Sequence, residues 1–326
     1  MLELREVSTV FNTRRGTVHA VNGVSFDVPA GRMVGVVGES GCGKSVTVRS
    51  VIGLIRPPGR VTGGQALFEG HDLLAMRRRE LRRVLGARIG FVGQQPFASL
   101  NPVLSIEEQF ANLVWAHRPR AKRPEIRELA LRKLQETGIA GPERVLRGYA
   151  HQLSGGMAQR VLIAMAMAFD PALLIADEPT TALDVTVQRQ ILDLIRRLLA
   201  GGDRSMLLVT HDLGVVAQYC DAVVVMYAGK VVEKGPVRDV FRRPRHPYTA
   251  ALLRAVPRPG QRIKGLGGTL PDLVDYPGGC PYAARCERAS EVCGAVAPEV
   301  ERVREREVSC HHPALEEGTA RVAAQA

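Results

Sequence analysis

One glycine-rich segment near the start of the chain has the residue types and spacing of a phosphate-binding loop. It follows an apolar run at 34–37, precedes a helical pattern at 46–54, and consists of Gly38, Glu39, Ser40, Gly41, Cys42, Gly43, Lys44 and Ser45. Glycines let consecutive backbone N–H groups surround an anion, and a helix start adds a favourable dipole. Lys44 is placed to reach the β- and γ-phosphates of a nucleoside triphosphate, and Ser45 to offer a hydroxyl to Mg²⁺. Val46, the next residue, is a further predicted nucleotide contact.

Two further apolar runs end in polar residues. The run at 173–176 leads into Asp177 and Glu178, and the run at 206–209 leads into Thr210 and His211. In an open parallel sheet, ligands collect at the carboxyl ends of the strands. We therefore expect these residues and the phosphate loop to form one site. An Asp-Glu pair that merely caps a turn is the alternative interpretation.

The segment at 153–160 is the most specific string in the chain. Ser154 offers a hydroxyl, Gly155 and Gly156 expose backbone N–H groups, and the following helical run points its N-terminus at any bound anion. The segment resembles the signature motif of ABC ATPases, and that resemblance covers about the first 250 residues. Locally, Ser154 is also expected to act as a helix N-cap.

The resemblance to ABC ATPases implies a fold and an assembly. The fold is α/β: a P-loop core with a parallel sheet, an antiparallel β subdomain and an inserted helical subdomain at about 95–168, within a nucleotide-binding domain at 1–256. Short β-rich runs that alternate with longer helical patterns agree with such a core. In this family the signature of one subunit closes over the phosphate loop of another, which implies a head-to-tail dimer with two ATP molecules.

The resemblance also implies roles for single residues. Asp177 resembles the Walker B carboxylate that holds Mg²⁺, and Glu178 the catalytic base that orients the attacking water. Gln94 occupies the Q-loop position, which senses Mg²⁺ and water. The segment at 182–184 resembles the D-loop, with Asp184 at its end, and His211 resembles the switch histidine that contacts the γ-phosphate.

Three positions leave alternatives open. Gly93 and Gln95 depart from the usual Q-loop pattern, so either Gln94 or Gln95 is the sensing residue. Phe11 resembles the aromatic residue that stacks on adenine, and an ordinary core phenylalanine is the alternative. Cys42 lies beside Lys44 and a helix start, which favours a thiolate; a small residue tolerated in the loop is the other interpretation.

Four of the six cysteines lie near the end of the chain, in a Gly- and Pro-rich segment. They are separated by five, six and sixteen residues, unlike paired C-x-x-C zinc knuckles, and are Cys280, Cys286, Cys293 and Cys310. Four thiolates suit either tetrahedral zinc or an iron–sulfur cluster, and free thiols are a third interpretation. Disulfides are not expected in the cytoplasm. His311 and His312 are candidate replacement ligands, or simply a polar end of the segment.

The end of the chain narrows the resemblance to one group of importers. The spaced cysteines are joined by three short motifs: His246-Pro247-Tyr248-Thr249, Leu270-Pro271 and Gly279-Cys280-Pro281. Together they are similar to the C-terminal extension of dipeptide and oligopeptide importer ATPases, whose members can carry a [4Fe–4S] cluster. The resemblance thus favours the cluster over Zn²⁺. We place this extension at 257–326 and expect a frayed tail from residue 314 onward.

Segments 41–47 and 226–230 resemble the D-type member of an ATPase pair. The implied activity is ATP hydrolysis that energises import of dipeptides and oligopeptides. The implied partners are two transmembrane permease subunits, a homologous F-type ATPase paired head-to-tail, and, indirectly, an extracytoplasmic solute-binding protein. Related importers move nickel, oligosaccharides and other solutes, so the cargo stays open.

The formal charge of +11 is compatible with nucleic acid, an anionic membrane surface or phosphate-rich ligands. Acidic and apolar residues interrupt the arginine runs, as on a solvated helix face, and an aromatic content of 5% provides few platforms for stacking bases. We therefore expect no nucleic-acid partner. A soluble ABC protein that acts on ribosomes or DNA is the rival, but the chain shows neither a second cassette nor heptads. Glu178 and His211 argue against a non-hydrolysing regulator.

The chain is expected to lie on the membrane surface rather than to cross it. Its longest apolar stretches, at 161–169 and 222–228, are shorter than the roughly 20 residues that a spanning helix needs. Its N-terminus carries acidic residues and lacks the apolar core of a signal peptide. These patterns predict a peripheral protein on the cytoplasmic face of the inner membrane.

Overall fold

Two β-sheets and the helices packed on them organise the chain in a computed structural model that describes residues 1–181, 183–200, 203–256, 266–274 and 276–314. In chain order, the strands are β1 (Leu2–Thr13), β2 (Gly16–Val28), β3 (Met33–Val37), β4 (Gly59–Phe68), β5 (His71–Asp72), β6 (Ile89–Val92), β7 (Leu173–Asp177), β8 (Ser205–Val209), β9 (Ala222–Tyr227), β10 (Lys230–Pro236), β11 (Val300–Val303) and β12 (Arg306–Ser309).

The α-helices connect these strands and cover the larger sheet. They are α1 (Lys44–Val51), α2 (Arg78–Val84), α3 (Pro96–Ser99), α4 (Ile106–His117), α5 (Arg123–Glu136), α6 (Pro142–Arg147), α7 (Gly155–Ala166), α8 (Val185–Leu199), α9 (Leu213–Tyr219), α10 (Val237–Arg242), α11 (Pro247–Ala255) and α12 (Glu291–Ala295). Short 3₁₀ helices lie at Ala150–Gln152 and Ala283–Arg285.

The larger sheet has the strand order β11-β12-β10-β9-β3-β8-β7-β6. From β9 to β6, neighbouring strands are parallel. Every residue of β7 and β8 is buried, which explains why these strands are continuous apolar runs rather than alternating ones. Because parallel strands share their direction, the carboxyl ends of β3, β7 and β8 meet at one edge. This confirms the predicted α/β core.

The smaller sheet is antiparallel and has the order β2-β1-β4-β5. Its inward-facing side chains, among them Leu4, Phe26 and Phe68, belong to one hydrophobic cluster with Val36 of β3 and Val48 of α1. The smaller sheet is therefore packed against the helix that follows the phosphate loop, as the antiparallel β subdomain of the predicted fold requires.

Helices α3 to α7 form a unit with a core of its own, built around Leu100, Phe110 and Leu134. Helix α7 joins this core to the larger sheet because its two faces differ. Val161 packs inside the helical unit, whereas Ile163 packs in the cluster that lies between α8 and the sheet. The bounds of 95–168 for a helical subdomain remain a prediction.

The C-terminal segment is continuous with the core. Strand β12 pairs with β10, with Glu233 opposite Val308, so the hairpin β11–β12 extends the larger sheet. The buried carboxylate of Glu233 accepts hydrogen bonds from Nη2 of Arg306 (2.7 Å) and from the backbone N–H of His246 (3.0 Å). A buried charge needs such partners, and here they fasten the end of the chain to the sheet.

The predicted boundary at 257 falls among residues 257–265, which lie outside the described residues, as does residue 275. Ala314, where the sequence predicts a frayed tail, exchanges two hydrogen bonds with Arg245. Ala314 itself is therefore fastened, and the remaining predicted tail, 315–326, lies outside the described part of the chain. None of the described helices has both the length and the apolar character that a bilayer crossing requires.

Candidate active site

The phosphate loop turns between the end of β3 and the start of α1, and its glycines are required by close backbone approach. Gly38 has φ +153° and Gly43 φ +101°. A Cβ atom on Gly38 would overlap the carbonyl oxygen of Met226, and one on Gly43 would overlap that of Ala20. The loop is thus closely packed against β2 and β9, and its shape excludes side chains at both positions.

Lys44 is buried at the start of α1, and its side chain folds back over the loop. Its Nζ donates to the carbonyl oxygens of Gly38 (2.8 Å) and Glu39 (3.0 Å). Among the ion pairs of the described residues, Lys44 has no carboxylate partner. A buried cation held by neutral carbonyls leaves its positive charge available to an anionic ligand at this loop.

Ser45 and Asp177 meet beside the loop. Ser45 Oγ donates to Asp177 Oδ1 at 2.6 Å, and Asp177 is only 1% exposed at the end of β7. Asp177 Oδ2 has no hydrogen-bond partner among the described residues, and it lies 3.6 Å from Nη2 of Arg49. Burial raises the pKa of Asp177, while the Ser45 hydroxyl and Arg49 act to lower it. An unsatisfied buried carboxylate oxygen beside a hydroxyl is the donor set that Mg²⁺ prefers, so the site fits this ion.

Glu178 lies at the centre of a group of polar side chains from three segments. Its Oε2 accepts a hydrogen bond from Thr181 Oγ1 (2.8 Å) and another from Gln94 Nε2 (3.1 Å). The same oxygen lies 3.5 Å from His211 Nδ1. Its backbone has φ +49°, an uncommon conformation for a non-glycine residue, and its N–H is fixed by the carbonyl of Val209 at 2.9 Å. The chain therefore fixes both the backbone and the carboxylate of this residue.

The two candidate glutamines occupy different positions. The amide of Gln94 contacts Glu178, whereas the exposed Gln95 precedes α3 and its carbonyl accepts a hydrogen bond from Ser99 Oγ at 3.0 Å. The geometry therefore favours Gln94 as the residue that contacts the acid pair, Asp177 and Glu178, through Glu178. Thr181 is a site residue that the sequence analysis missed. The sequence signal that could have identified it is a hydroxyl-bearing residue three positions after Glu178.

Cys42 does not have the environment that the sequence suggested. Its side chain is fully buried, and this burial raises the pKa of its thiol more than the nearby Lys44 lowers it. The expectation that this environment favours a thiolate is wrong, because desolvation outweighs the helix start and the lysine. The other loop residues, Ser40 and Gly41, are exposed.

Phe11 is half-buried in β1, opposite Val18 of β2 and Gly59 of β4. It borders an open groove of about 630 Å³ that is also bordered by Val46 and Gln94. Phe11 therefore faces the same groove as a residue of α1 and a residue of the acid-pair site. It is not one of the buried residues of the hydrophobic core.

The signature segment forms the start of α7. Ser154 is the N-cap, and its Oγ accepts a hydrogen bond from the N–H of Met157 at 3.3 Å. A Cβ atom on Gly155 or Gly156 would lie 3.5 Å from Leu183 or 3.0 Å from Val187, so both glycines pack beside the start of α8. No hydrogen bond among the described residues joins this segment to the phosphate loop.

The D-loop position lies directly beside the signature. Asp184 caps α8, with Oδ1 accepting from the N–H of Val187 at 2.9 Å. Ala182, the first residue of the predicted D-loop, lies outside the described residues. The exposed residues Ser154 and Asp184 therefore lie at two neighbouring helix starts, and no hydrogen bond of the described residues joins either of them to Asp177 or Glu178.

The four C-terminal cysteines border one small cavity, together with His246, His311 and His312. The N–H of Arg288 donates to Sγ of Cys286 at 3.4 Å, and burial raises the pKa of Cys310 to about 11. Within the described ranges, no group of three or more His, Cys, Asp or Glu side chains is arranged to hold a metal ion. His311 Nε2 lies 2.8 Å from the carbonyl of Val296 and His312 Nε2 lies 2.6 Å from Ser290 Oγ, which agrees with a polar end of the segment.

Two known families match different parts of the chain. Residues 21–181 match the ABC transporter family, and residues 232–293 match the C-terminal region of oligopeptide/dipeptide transporters. The first match contains the phosphate loop, the signature and the acid pair. The second ends at Cys293, the third of the four cysteines.

Curated relatives are similar along nearly their whole length. The dipeptide transport ATP-binding protein DppD of Bacillus subtilis is 47% identical over 91% of this chain and 90% of its own. The DppD proteins of Haemophilus influenzae and Escherichia coli are each 42% identical, over 98% and 96% of this chain and 97% of their own.

Solved structures resemble about three quarters of the chain. The ATP-binding cassette MJ0796, in a dimeric post-hydrolysis state bound to ADP and Pi, has a TM-score of 0.65 at 28% identity, and covers 73% of this chain and 99% of its own. The cbiO1 protein of Clostridium perfringens, part of the ABC transporter complex cbiONQ, has a TM-score of 0.61 at 29% identity, and covers 74% of this chain and 90% of its own.

Proposed function

Because the chain belongs to the D-type ATP-binding subunits of ABC importers for dipeptides and oligopeptides, we propose that the residues at the ends of β3, β7 and β8 form its ATP-hydrolysing site. Such a subunit is an ATPase that energises peptide import. The observation that carries the site is the convergence of Gln94, Thr181 and His211 on the carboxylate of Glu178, next to the pair Ser45–Asp177.

In this proposal the loop from Gly38 to Ser45 binds the phosphates of ATP through its backbone N–H groups and the start of α1. Lys44 moves from the loop carbonyls to the β- and γ-phosphates, since its charge has no acidic partner in the described chain. Phe11 and Val46, which border the neighbouring groove, contact the nucleotide from the side of the smaller sheet.

Ser45, Asp177 and Gln94 would hold Mg²⁺, which when bound neutralises charge on the transferring phosphoryl group. Glu178 accepts the proton of the attacking water. Its backbone is fixed by Val209 and its carboxylate by Thr181 and Gln94, so the base is positioned before the water arrives. His211, half-exposed beside the same carboxylate, donates to the γ-phosphate.

We propose that the site is completed by a second ATPase chain. The signature residues Ser154, Gly155 and Gly156 and the D-loop residue Asp184 lie together on a surface with no hydrogen bond to the phosphate loop of the described chain. In a head-to-tail pair they would face the phosphates bound by the partner. The proposed partner is a homologous F-type subunit, and the pair attaches to two permease subunits on the cytoplasmic face of the inner membrane.

We also propose that Cys280, Cys286, Cys293 and Cys310 hold a [4Fe–4S] cluster. Four thiols on one cavity are a donor set that such clusters accept, and an N–H already points at one of the sulfurs. Iron and sulfide should both be present in protein purified without oxygen, and Cys286→Ser should lose them whereas Cys220→Ser should not. Stoichiometric zinc without sulfide would contradict the cluster.

Peptide import is tested by reconstituting the chain with its permease and F-type subunits in proteoliposomes. Solute-binding protein loaded with a dipeptide or oligopeptide should stimulate ATP hydrolysis and uptake of the labelled peptide, and empty binding protein is the control. If binding protein loaded with nickel or an oligosaccharide stimulated ATP hydrolysis, and peptide-loaded binding protein did not, peptide would be contradicted as the cargo. Stimulation by ribosomes or DNA alone would contradict a transport function.

A further inference from the structure

A C-terminal arginine reaches the phosphate loop. Arg285, which ends the 3₁₀ helix just before Cys286, forms a two-point ion pair with Glu39, 246 positions away in sequence. Nη1 donates to Oε2 and Nη2 to Oε1, each at 2.8 Å. The two side chains are 7% and 21% exposed, so solvent screens this pair less than a surface pair.

The guanidinium is held in place independently of Glu39. Its Nε donates to the carbonyl of Gly267 at 2.7 Å, and its Cζ lies 5.6 Å from the ring centre of Tyr227 and 5.8 Å from that of Tyr282. The hydrogen bonds to Glu39 raise the pKa of Arg285, so it stays charged. Arg285 is therefore a fixed cation, held by aromatic faces and a backbone carbonyl.

Glu39 is held by its main chain as well. Its N–H donates to the hydroxyl of Tyr248 at 2.9 Å, and its carbonyl accepts from Lys44 Nζ at 3.0 Å. One acidic residue of the loop thus connects Arg285 and Tyr248 on one side with Lys44 on the other. A carboxylate inside a loop that binds a triphosphate would repel that ligand unless its charge were compensated.

We propose that Arg285 is a positioning residue for ATP binding: it neutralises the carboxylate of Glu39, so that the phosphate loop accepts a triphosphate without charge repulsion. This inference rests on the proposed function of the loop. Removal of Arg285 leaves a poorly solvated carboxylate next to the phosphates, which lowers the affinity for ATP. The C-terminal extension then contributes directly to the nucleotide site.

The test measures the affinity of full-length protein for N-methylanthraniloyl-ATP by fluorescence titration. Arg285→Gln should weaken binding by about tenfold, the size expected for loss of one charge-assisted contact. Glu39→Gln combined with Arg285→Gln should restore binding to within about twofold of wild type, because the repelling carboxylate is gone. Arg254→Gln is the matched control, since its guanidinium is 65% exposed and lies 3.9 Å from the exposed Glu287.

Two results would overturn the inference. Arg285→Gln that binds as well as Arg254→Gln would show that the ion pair does not matter for the nucleotide. A loss of binding that the double variant does not relieve would show a structural defect instead of charge repulsion. Failure of the proposed function is distinguishable, because wild-type protein would then not bind the labelled ATP at all.

Discussion

The phosphate loop and the signature segment are both glycine-containing helix starts, but the chain holds them differently. Met226 and Ala20 enclose the loop at Gly38 and Gly43. The hydroxyl of Ser45 in the same loop donates a hydrogen bond to the buried Asp177. The hydroxyl of Ser154, by contrast, is exposed and caps only its own helix. One anion-binding device is built into the core, whereas the other lies on a surface. In the proposed assembly, a single chain therefore binds ATP, and a second chain completes the site.

The largest effect is expected at the phosphate loop, which the core encloses. Gly38→Ala places a methyl group on the carbonyl of Met226, so either the loop or β9 must shift. We expect ATP affinity to fall by about 100-fold or more, together with a loss of stability of about 1–3 kcal/mol. Gly63→Ala is the control because no atom lies within 4 Å of its added methyl. Equal binding by the two variants, measured by titration, would contradict the enclosed loop.

At the signature segment we expect the opposite result: turnover should fall while ATP affinity is kept. Ser154→Ala should leave the ATP affinity of the isolated chain within about twofold, since its hydroxyl contacts only its own helix. Turnover by the assembled transporter should fall by about 100-fold. This is the effect expected when one hydrogen-bond donor to a charge that develops in the transition state is removed. Ser105→Ala removes the cap of α4 and controls for the loss of a helix cap. Reduced affinity in the isolated Ser154→Ala chain would place the signature within its own site.

A smaller effect is expected at Thr181, which donates to Glu178 Oε2 at 2.8 Å. Thr181→Val keeps the volume but removes the donor, so kcat should fall about tenfold while KM changes little. Thr181→Ser keeps the hydroxyl and should retain most activity. Steady-state ATPase assays distinguish these outcomes, and equal rates for the valine and serine variants would remove Thr181 from the site.

Alkylating reagents should not modify Cys42 in the native protein. Burial raises the pKa of its thiol, so at pH 8 it stays protonated, and no reagent reaches it. Iodoacetamide should leave Cys42 unmodified in the native protein and modify it after denaturation, as mass spectrometry of the peptides would show. Modification in the native protein that ATP prevents would restore the thiolate interpretation.

The sequence alone predicted the parts of the site that lie on short motifs. The phosphate loop, Asp177 and Glu178 follow buried strands, and parallel pairing brings those strand ends to one edge. The same argument placed His211 at this edge, whereas the contact of Gln94 with this site was implied only by resemblance. The choice of Gln94 over Gln95 needed the structure, since neighbouring residues differ only in the direction of their side chains.

Burial and distant contacts explain what the sequence could not provide. The pKa of Cys42 depends on desolvation by residues far along the chain, and a local motif indicates only the nearby Lys44. The contact of Arg285 with Glu39 spans 246 positions, beyond any periodic pattern. The resemblance placed the extension at 257–326, but the pairing of its strand β12 with β10 of the core sheet needed the structure.

The most direct measurement compares Glu178→Gln with wild type in the assembled transporter, for both ATP binding and ATP hydrolysis. The amide keeps the shape of the side chain but cannot accept the proton of water. If Glu178 is the general base, binding should be unchanged and turnover should fall by about 10²–10⁴-fold. Turnover near the wild-type rate would show that the base lies elsewhere and that the convergence of Gln94, Thr181 and His211 serves only the structure.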